Sequence, residues 1–310
     1  MSIRTVRIRL LWHKQAQFAG YLLAESLGLA RERGVEIVCE GLDFNCKHVA
    51  SILTGATPLA VASPAHILES AAPDQLRWIL TIQQESPLVY PVRKADGIEK
   101  LADLAGKKAG VWPGHEDLEF RWMLKRAGLA PGAVERIAMP DTVGPFLAGE
   151  IVTGQMTCYH ELHQVEDRLG HDALSIFSAR EQGCSILKDG LVVSANFAAA
   201  HPDVVQAVVD AVLEGWTLAL NEPERAIHAC LAARPDMTED EQRRQLADIR
   251  ALILTGATLS HGLGYPNPAH MEQAVLALRE VEGKEVTHSR ITDFRYWEAA
   301  PARFRGKDWS

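Results

Sequence analysis

The sequence predicts an α/β protein whose C-terminal part is helical. Short apolar segments alternate with amphipathic helical stretches through the first two-thirds of the chain, an order that is typical of parallel sheets with helices on both faces. An extended segment at Leu88–Val92 interrupts this alternation, and the pattern then restarts. From Asn196 onward the spacing is almost entirely helical. With 310 residues, the chain can form two domains or one large one.

The first elements are predicted from residue spacing. In Val6–Leu11, arginines alternate with apolar residues, which is the period-two pattern of a strand. Phe18–Arg31 carries apolar residues at near-helical spacing, and Gly34 is placed to cap its end. The other strands predicted before the interruption are Val35–Glu40, Leu59–Ala62 and Trp78–Ile82, and the other helices are Lys47–Leu53 and Ala65–Ser70.

The same reasoning gives the elements that follow. Strands are predicted at Lys108–Val111, Glu135–Ala138, Gln155–Cys158, Leu174–Phe177 and Leu191–Val193, and helices at Ile98–Leu104, Glu116–Ala127, Val143–Ala148 and His160–Leu169. The C-terminal helices are predicted at Pro202–Leu220, Pro223–Ala233, Thr238–Leu254 and Ala269–Leu278. Pro202 and Pro223 suit the first turn of a helix, because the N–H that proline lacks would have no partner there.

Composition limits the classes of function. A formal net charge of −8 argues against a nucleic-acid partner, which would require a basic surface. No apolar run reaches the roughly 18 residues that a membrane span needs, and the arginines near the N-terminus interrupt the apolar segment that an export signal requires. The five scattered cysteines form no CxxC pair, so we predict free thiols in a reducing compartment and neither a zinc site nor a redox pair.

A series of short segments, none specific alone, resembles in its order the NMT1/THI5-like and nitrate/sulfonate group of type II periplasmic solute-binding proteins. The resemblance covers roughly residues 5–235. The segments that carry it are Leu11–His13, Gln17–Ala24, Gly28–Leu29, Val49–Gly55, Ala60–Ala65, Leu101–Lys108, Gly110–Val111, Leu124–Leu129, Gly149–Glu150, Cys158–Glu161, Phe197, Pro202, Gly215–Trp216 and Pro223–Ala226.

The resemblance implies a type II periplasmic-binding-protein fold of two α/β lobes joined by two crossover segments. Lobe 1 would comprise residues 1–88 and 195–310, and lobe 2 residues 89–194. The implied function is that of a monomeric solute-binding protein of an ABC-type uptake system, with a permease as partner. Its ligand would be a small planar heteroaromatic molecule, such as a pyrimidine or thiamine precursor, held between the lobes without a cofactor. The implied location is the periplasm; a cytoplasmic relative is the alternative, since the chain shows no export signal.

Ligands of such open sheets bind at the carboxyl ends of strands, where loops and helix N-termini converge. In lobe 1, Trp12 follows the first strand and can stack on a planar ligand, with His13 and Gln17 nearby in the sequence. Ser63, Pro64 and His66 follow the third strand. Ser63 can contact a ligand or simply cap the following helix, and these roles are compatible.

In lobe 2, Gly114 and His115 join a strand to a helix, and Gly114 would let backbone amides approach a ligand closely. Tyr159 and Glu161 follow the strand that ends at Cys158, and the resemblance implies an aromatic and a carboxylate contact for a ligand ring there. His160 and His163 lack a third ligand, so we predict no metal site.

The alternative function is an enzyme on the same fold. The pyrimidine-forming branch of the family would place a lysine where this chain has Ala62, a histidine at His66 and a cysteine cluster where only Cys184 stands. Without an amine nucleophile, no Schiff base to a pyridoxal cofactor can form. A desulfinase-like relative would need a cysteine in the Trp12 loop, which has none. We therefore predict a binding protein rather than an enzyme.

Overall fold

The computed structural model describes residues 3–113, 116–306 and 309. The chain divides into two compact units, each built from segments that are distant in the sequence. Unit 1 comprises Met1–Glu85, Leu187–Met271 and Thr287–Ser310, and unit 2 comprises Ser86–Ile186 and Glu272–Val286. The division into lobes 1–88 plus 195–310 and 89–194 stays a prediction.

Strands and helices follow one another in the order α/β proteins show. The strands are β1 (Arg4–Arg9), β2 (Val35–Glu40), β3 (Leu59–Ala62), β4 (Leu76–Thr81), β5 (Leu88–Arg93), β6 (Lys108–Val111), β7 (Glu135–Ala138), β8 (Thr153–Gly154), β9 (Met156–Thr157), β10 (Leu174–Ser178) and β11 (Gly190–Ser194). The helices are α1 (Ala19–Ser26), α2 (His48–Leu53), α3 (Pro64–Leu68), α4 (Leu118–Arg126), α5 (Val143–Ala148), α6 (Glu161–Leu169), α7 (Ala195–Ala200), α8 (Pro202–Asn221), α9 (Pro223–Ala233), α10 (Glu239–Ile253), α11 (Gly256–Ser260), α12 (Pro268–Glu282) and α13 (Arg295–Ala299).

Unit 1 contains a five-stranded sheet in the order β2-β1-β3-β11-β4. Strands β1, β2 and β3 run parallel, whereas β11 is antiparallel to both β3 and β4. Gly190, the first residue of β11, pairs with Ala62 and Thr81, the last residues of β3 and β4. The carboxyl ends of β1 to β4 and the start of β11 therefore meet at one edge, called here the carboxyl edge.

Unit 2 contains two three-stranded sheets, β10-β5-β9 and β7-β6-β8. The first is antiparallel and the second parallel. Buried apolar side chains from β5, α5, β9 and α6 form one core cluster, which includes Val89, Phe146, Met156 and Val165. Because each of these elements is too short to bury an apolar face alone, they must pack together.

The structure corrects the predicted elements at several places. The prediction of wholly parallel sheets is wrong for β11 and for the β10-β5-β9 sheet. The helix predicted at Phe18–Arg31 ends at Ser26, and Gly34 closes a separate 3₁₀ turn in a left-handed conformation. The helix predicted at Ile98–Leu104 is a 3₁₀ helix over Leu101–Leu104. Helices α7, α11 and α13 were not predicted.

Other expectations hold. Pro202 and Pro223 occupy the first turns of α8 and α9, and the five cysteines are free thiols, of which Cys46 and Cys158 are only partly buried. Within the described parts of the chain, no helix combines the length and apolar character needed to cross a membrane.

Candidate functional site

The loops at the carboxyl edge of unit 1 bring together side chains from five chain segments. Trp12 follows β1, Phe44 follows β2, His66 lies on α3 after β3, Gln83 follows β4, and Asp189 precedes β11. Because the carboxyl ends of parallel strands share an edge, this convergence follows from the sheet order.

Aromatic side chains form the exposed part of this edge. Trp12 lies edge-on to His13, with ring centroids 5.0 Å apart, and to Phe44, at 6.0 Å and 87°. Trp12, His13 and Phe44 are called here the aromatic group. Phe44 is 61% exposed, an unusual state for a phenylalanine. The Leu42 N–H donates to the Trp12 carbonyl at 3.0 Å, so the two loops are joined through their backbones.

His13 is the titratable member of the aromatic group. Partial burial, followed by the positive charge of Arg234, lowers the pKa of His13 below its ordinary value. The imidazole is therefore mainly neutral near pH 7, and the aromatic group presents little charge to a ligand.

Two histidines lie beside the start of α3. The rings of His48 and His66 stack with centroids 4.0 Å apart and planes 14° from parallel. His66 also completes a capping box, because its backbone N–H donates to Ser63 Oγ while its Nδ1 accepts from the Ser63 N–H, both at 3.2 Å. Ser63 and Pro64 are buried, so the Ser63 hydroxyl serves the helix cap that its position predicted.

Gln17 lies beneath the loop rather than on its surface. It is 3% exposed, and its Nε2 donates to Asp189 Oδ2 at 3.1 Å. Its backbone N–H donates to Gln245 Oε1 of α10 at 3.0 Å. The structure thus gives Gln17 protein partners on both sides.

The predicted residues of unit 2 are placed as follows. Tyr159 is 3% exposed. Glu161 begins α6, and its Oε2 accepts from the Thr157 N–H at 2.9 Å and from Thr157 Oγ1 at 2.5 Å. This carboxylate therefore stabilises the turn between β9 and α6. Gly114 and His115 lie outside the described residues.

Sequence reasoning missed Phe44, His48, Gln83 and Asp189. Phe44 and Gln83 follow strands that were predicted correctly, so the same rule that selected Trp12 could have selected them. Asp189 could not be found this way, because it precedes its strand and reaches the carboxyl edge only since β11 is antiparallel.

The fold is that of an α/β protein with an open sheet in unit 1, and its loops converge at the carboxyl edge, where open-sheet proteins bind ligands. The model of the family described as NMT1/THI5-like matches residues 15–226. The chain belongs to the NMT1/THI5-like family, as the resemblance of its segments predicted.

Individual relatives are distant. The riboflavin-binding protein RibY of Chloroflexus aurantiacus is 22% identical over 278 residues, which cover 85% of this chain and 77% of RibY. The periplasmic sulfonate-binding protein SsuA of Methylobacillus flagellatus has a TM-score of 0.73 at 16% identity, with 97% of this chain and 95% of SsuA covered. The desulfurization enzyme DSZB, in complex with biphenyl-2-sulfinic acid, has a TM-score of 0.66 at 13% identity, covering 96% and 99%. These structures share the type II binding-protein fold with this chain.

Proposed function

We propose that this protein is the solute-binding component of an ABC-type uptake system and that it binds a planar heteroaromatic solute of the flavin or pyrimidine type. The observation that carries the proposal is the aromatic group, which exposes the Phe44 ring beside Trp12 at the carboxyl edge of a unit 1 sheet. Exposed aromatic faces lose water readily and stack on planar rings, which accounts for their frequency in ligand sites.

The aromatic group itself favours a planar ring as its ligand. Its titratable member His13 is kept mainly neutral near pH 7 by partial burial and Arg234, and Lys47 lies over the Phe44 ring, 5.9 Å from its centroid. The similarity to a riboflavin-binding relative supports the same ligand class. A flavin contains a fused pyrimidine ring, so a single proposal covers flavins, pyrimidines and thiamine precursors.

The remaining parts of the proposal concern partners and location. As a member of its family with a SsuA-like fold, the protein would act as a monomer, deliver its solute to a membrane permease and work outside the cytoplasm. The two predicted lobes, residues 1–88 plus 195–310 and 89–194, would be its functional domains. Trp12, His13, His66 and Phe44 would contact the solute.

Two positions weigh against an enzymatic role. Ala62, where the pyrimidine-forming branch would place a lysine, is a fully buried residue at the end of β3. Burial raises the pKa of the Cys184 thiol to about 11, so the reactive thiolate is scarce near neutral pH. Cys184 is therefore a poor nucleophile and favours binding over covalent chemistry.

Riboflavin fluorescence gives a direct test, since stacking on Trp12 quenches the flavin. We expect saturable quenching by the purified protein. Trp12→Ala or Phe44→Ala should each raise the riboflavin Kd by roughly 5- to 150-fold, because loss of one aromatic stacking partner costs about 1–3 kcal/mol. A 4-aminopyrimidine and an alkanesulfonate serve as competitors that distinguish the ligand classes.

Phe197→Ala is the matched control. Phe197 is a partly exposed aromatic residue whose ring lies 5.0 Å from His201, as that of Trp12 lies 5.0 Å from His13. It lies on α7, after the carboxyl end of the antiparallel strand β11 and thus beyond the opposite edge of the sheet. The riboflavin Kd of Phe197→Ala should equal that of the wild type. If only the sulfonate binds, or if Trp12→Ala and Phe197→Ala bind riboflavin equally well, the proposal is wrong.

A further inference from the structure

A group of buried polar side chains lies within unit 1, on the chain segments that follow β1 and β4 and precede β11. It consists of Gln15, Gln17, Gln83 and Asp189, which are between 0% and 3% exposed, and is called here the Asp189 cluster. Asp189 Oδ2 accepts from Gln83 Nε2 at 2.7 Å and from Gln17 Nε2 at 3.1 Å. Gln15 Nε2 donates in turn to Gln17 Oε1 at 3.4 Å.

The direction of these hydrogen bonds is fixed by Asp189. A carboxylate only accepts, so the amides of Gln17 and Gln83 must turn their N–H groups toward it. Gln17 Oε1 then faces away and accepts from Gln15. These orientations hold for both charge states of Asp189 if its proton is on Oδ1, because Oδ2 then accepts in either state.

The cluster has more acceptors than donors. Asp189 Oδ1, Gln15 Oε1 and Gln83 Oε1 are buried, and none has a hydrogen-bond partner among the described residues. An unpartnered buried polar atom is destabilising, and a charged one is more so. A proton on Asp189 Oδ1 would remove the charge and turn that oxygen into the donor that the cluster lacks.

We propose that Asp189 holds a proton in the folded protein around neutral pH, and that this neutral carboxyl is a positioning residue for the solute site. Its Oδ2 joins Gln17, on the loop that carries Trp12, to Gln83 at the end of β4. The positioning role rests on the proposed function, whereas the bound proton does not. Asp189 thus binds a proton, and the neutral carboxyl holds the Trp12 loop in place.

The surroundings of Asp189 contain little compensating charge. From α1, Tyr21 faces it, and both burial and Asp189 raise the pKa of that phenol, so Tyr21 is neutral. Gln17, before α1, and Gln83, after β4, are uncharged. In the segment that leads into β11, the charged residue nearest in sequence is Lys188, which directly precedes Asp189. No described cation donates a hydrogen bond to Asp189. Burial raises the pKa of Asp189 to about 7, although the Gln17 hydrogen bond opposes this.

The sign of the pH effect follows from linkage. Between the ordinary pKa of 3.8 and about 7, the folded protein holds a proton on Asp189 that the unfolded chain has released. Raising the pH through this range therefore lowers the stability that this group contributes, and no further loss is expected above it. This is opposite to the behaviour of a salt-bridged aspartate.

Asp189→Asn tests the proton, because asparagine resembles the neutral carboxyl in size and shape, with one oxygen that accepts and one group that donates. We expect the melting temperature of this variant to exceed that of the wild type by a margin that is several degrees larger at pH 8 than at pH 5, because the loss in the wild type accumulates between pH 3.8 and about 7. An equal gap at both values, or a variant that is less stable at pH 8, overturns the proposal.

Asp210→Asn is the matched control. Asp210 is 5% exposed, but its carboxylate is paired with Arg33 and accepts from Gln206. Loss of that ion pair should lower the melting temperature at pH 8. In the wild-type protein, carboxyl ¹³C NMR should also show one aspartate titrating near neutral pH, and its disappearance in Asp189→Asn assigns it. Absence of such a titration counts against the proposal even if the variant does not fold.

Riboflavin affinity tests the positioning role separately. The wild-type Kd should rise between pH 6 and pH 8, the Kd of Asp189→Asn should stay flat, and Asp189→Ala should bind weakly at both values although Trp12 is intact. If the wild type binds no riboflavin at any pH, the proposed function fails while the melting data still decide on the proton. If it binds equally at pH 6 and 8 and Asp189→Ala matches it, the positioning role is wrong.

Discussion

Ser63 orients the side chain of His66, a residue of the proposed solute site that lies three positions further along the sequence. Its hydroxyl accepts from the His66 N–H, and its own N–H donates to His66 Nδ1. Ser63→Ala removes the first bond and so loosens the turn that carries His66, while the backbone N–H that donates to the imidazole remains. We expect the free energy of unfolding to fall by about 1 kcal/mol and riboflavin affinity to fall with it, as measured by urea denaturation and fluorescence titration.

Thr238→Ala provides the control for Ser63→Ala. Thr238 caps α10 with the same reciprocal arrangement, in which Glu241 takes the place of His66. Its replacement should cost a similar free energy without changing the riboflavin Kd. Equal loss of affinity in both variants would show that Ser63 acts through general stability and not through His66.

At the level of elements, the packing of α1 against α8 depends on two glycines that leave no room for a side chain. A Cβ on Gly215 would lie 2.1 Å from the carbonyl oxygen of Gly20, and a Cβ on Gly20 would lie 2.2 Å from the Trp216 ring. The backbone of α1 cannot move aside cheaply. We expect Gly215→Ala to lower the free energy of unfolding by about 1–3 kcal/mol or more, as overpacking does, in chemical denaturation.

Gly144→Ala on α5 is the matched substitution. The nearest atom to a Cβ there is Asp141 Oδ2, at 3.0 Å, and a shift of a few tenths of an ångström relieves this contact while Asp141 Oδ1 keeps its hydrogen bond from the Val143 N–H. Alanine favours a helix by about 1 kcal/mol over glycine, so this variant should be as stable as the wild type or more so. Destabilisation of both variants to the same degree would show that the cost comes from adding a methyl group to either helical glycine and not from the α1–α8 contact.

The elements also show where sequence reasoning succeeds. β3, β6, β7, α5 and α9 have the predicted bounds, because their apolar spacing and flanking turn residues agree. β11 is an uninterrupted apolar stretch whose burial is nearly complete, so its sequence contains no sign of its direction. For that reason the aromatic loop after β1 was predictable, whereas Asp189 at the start of β11 was not.

At the scale of the whole molecule, each unit is assembled from chain segments that lie far apart. The family match ends at residue 226, yet residues Glu272–Val286 belong to unit 2. Nothing in the local sequence of α12 assigns it to that unit. The assignment depends on pairs such as Arg121 with Glu282, which join side chains 161 positions apart.

Two glutamates near the end of α12 should therefore stabilise α4, although they lie over 150 positions away in the sequence. Glu280 Oε2 accepts from the buried Trp122 indole at 2.5 Å, and Glu282 Oε1 accepts from Arg121 at 2.7 Å. Glu280→Ala with Glu282→Ala leaves the indole N–H without its acceptor, a cost of about 1–3 kcal/mol. Hydrogen exchange should become about tenfold faster in α4, while α8 in unit 1 keeps its protection. Glu285→Ala, at an exposed neighbouring position, should change hydrogen exchange in neither α4 nor α8. Faster exchange in both helices after the double substitution would refute the assignment of this segment to unit 2.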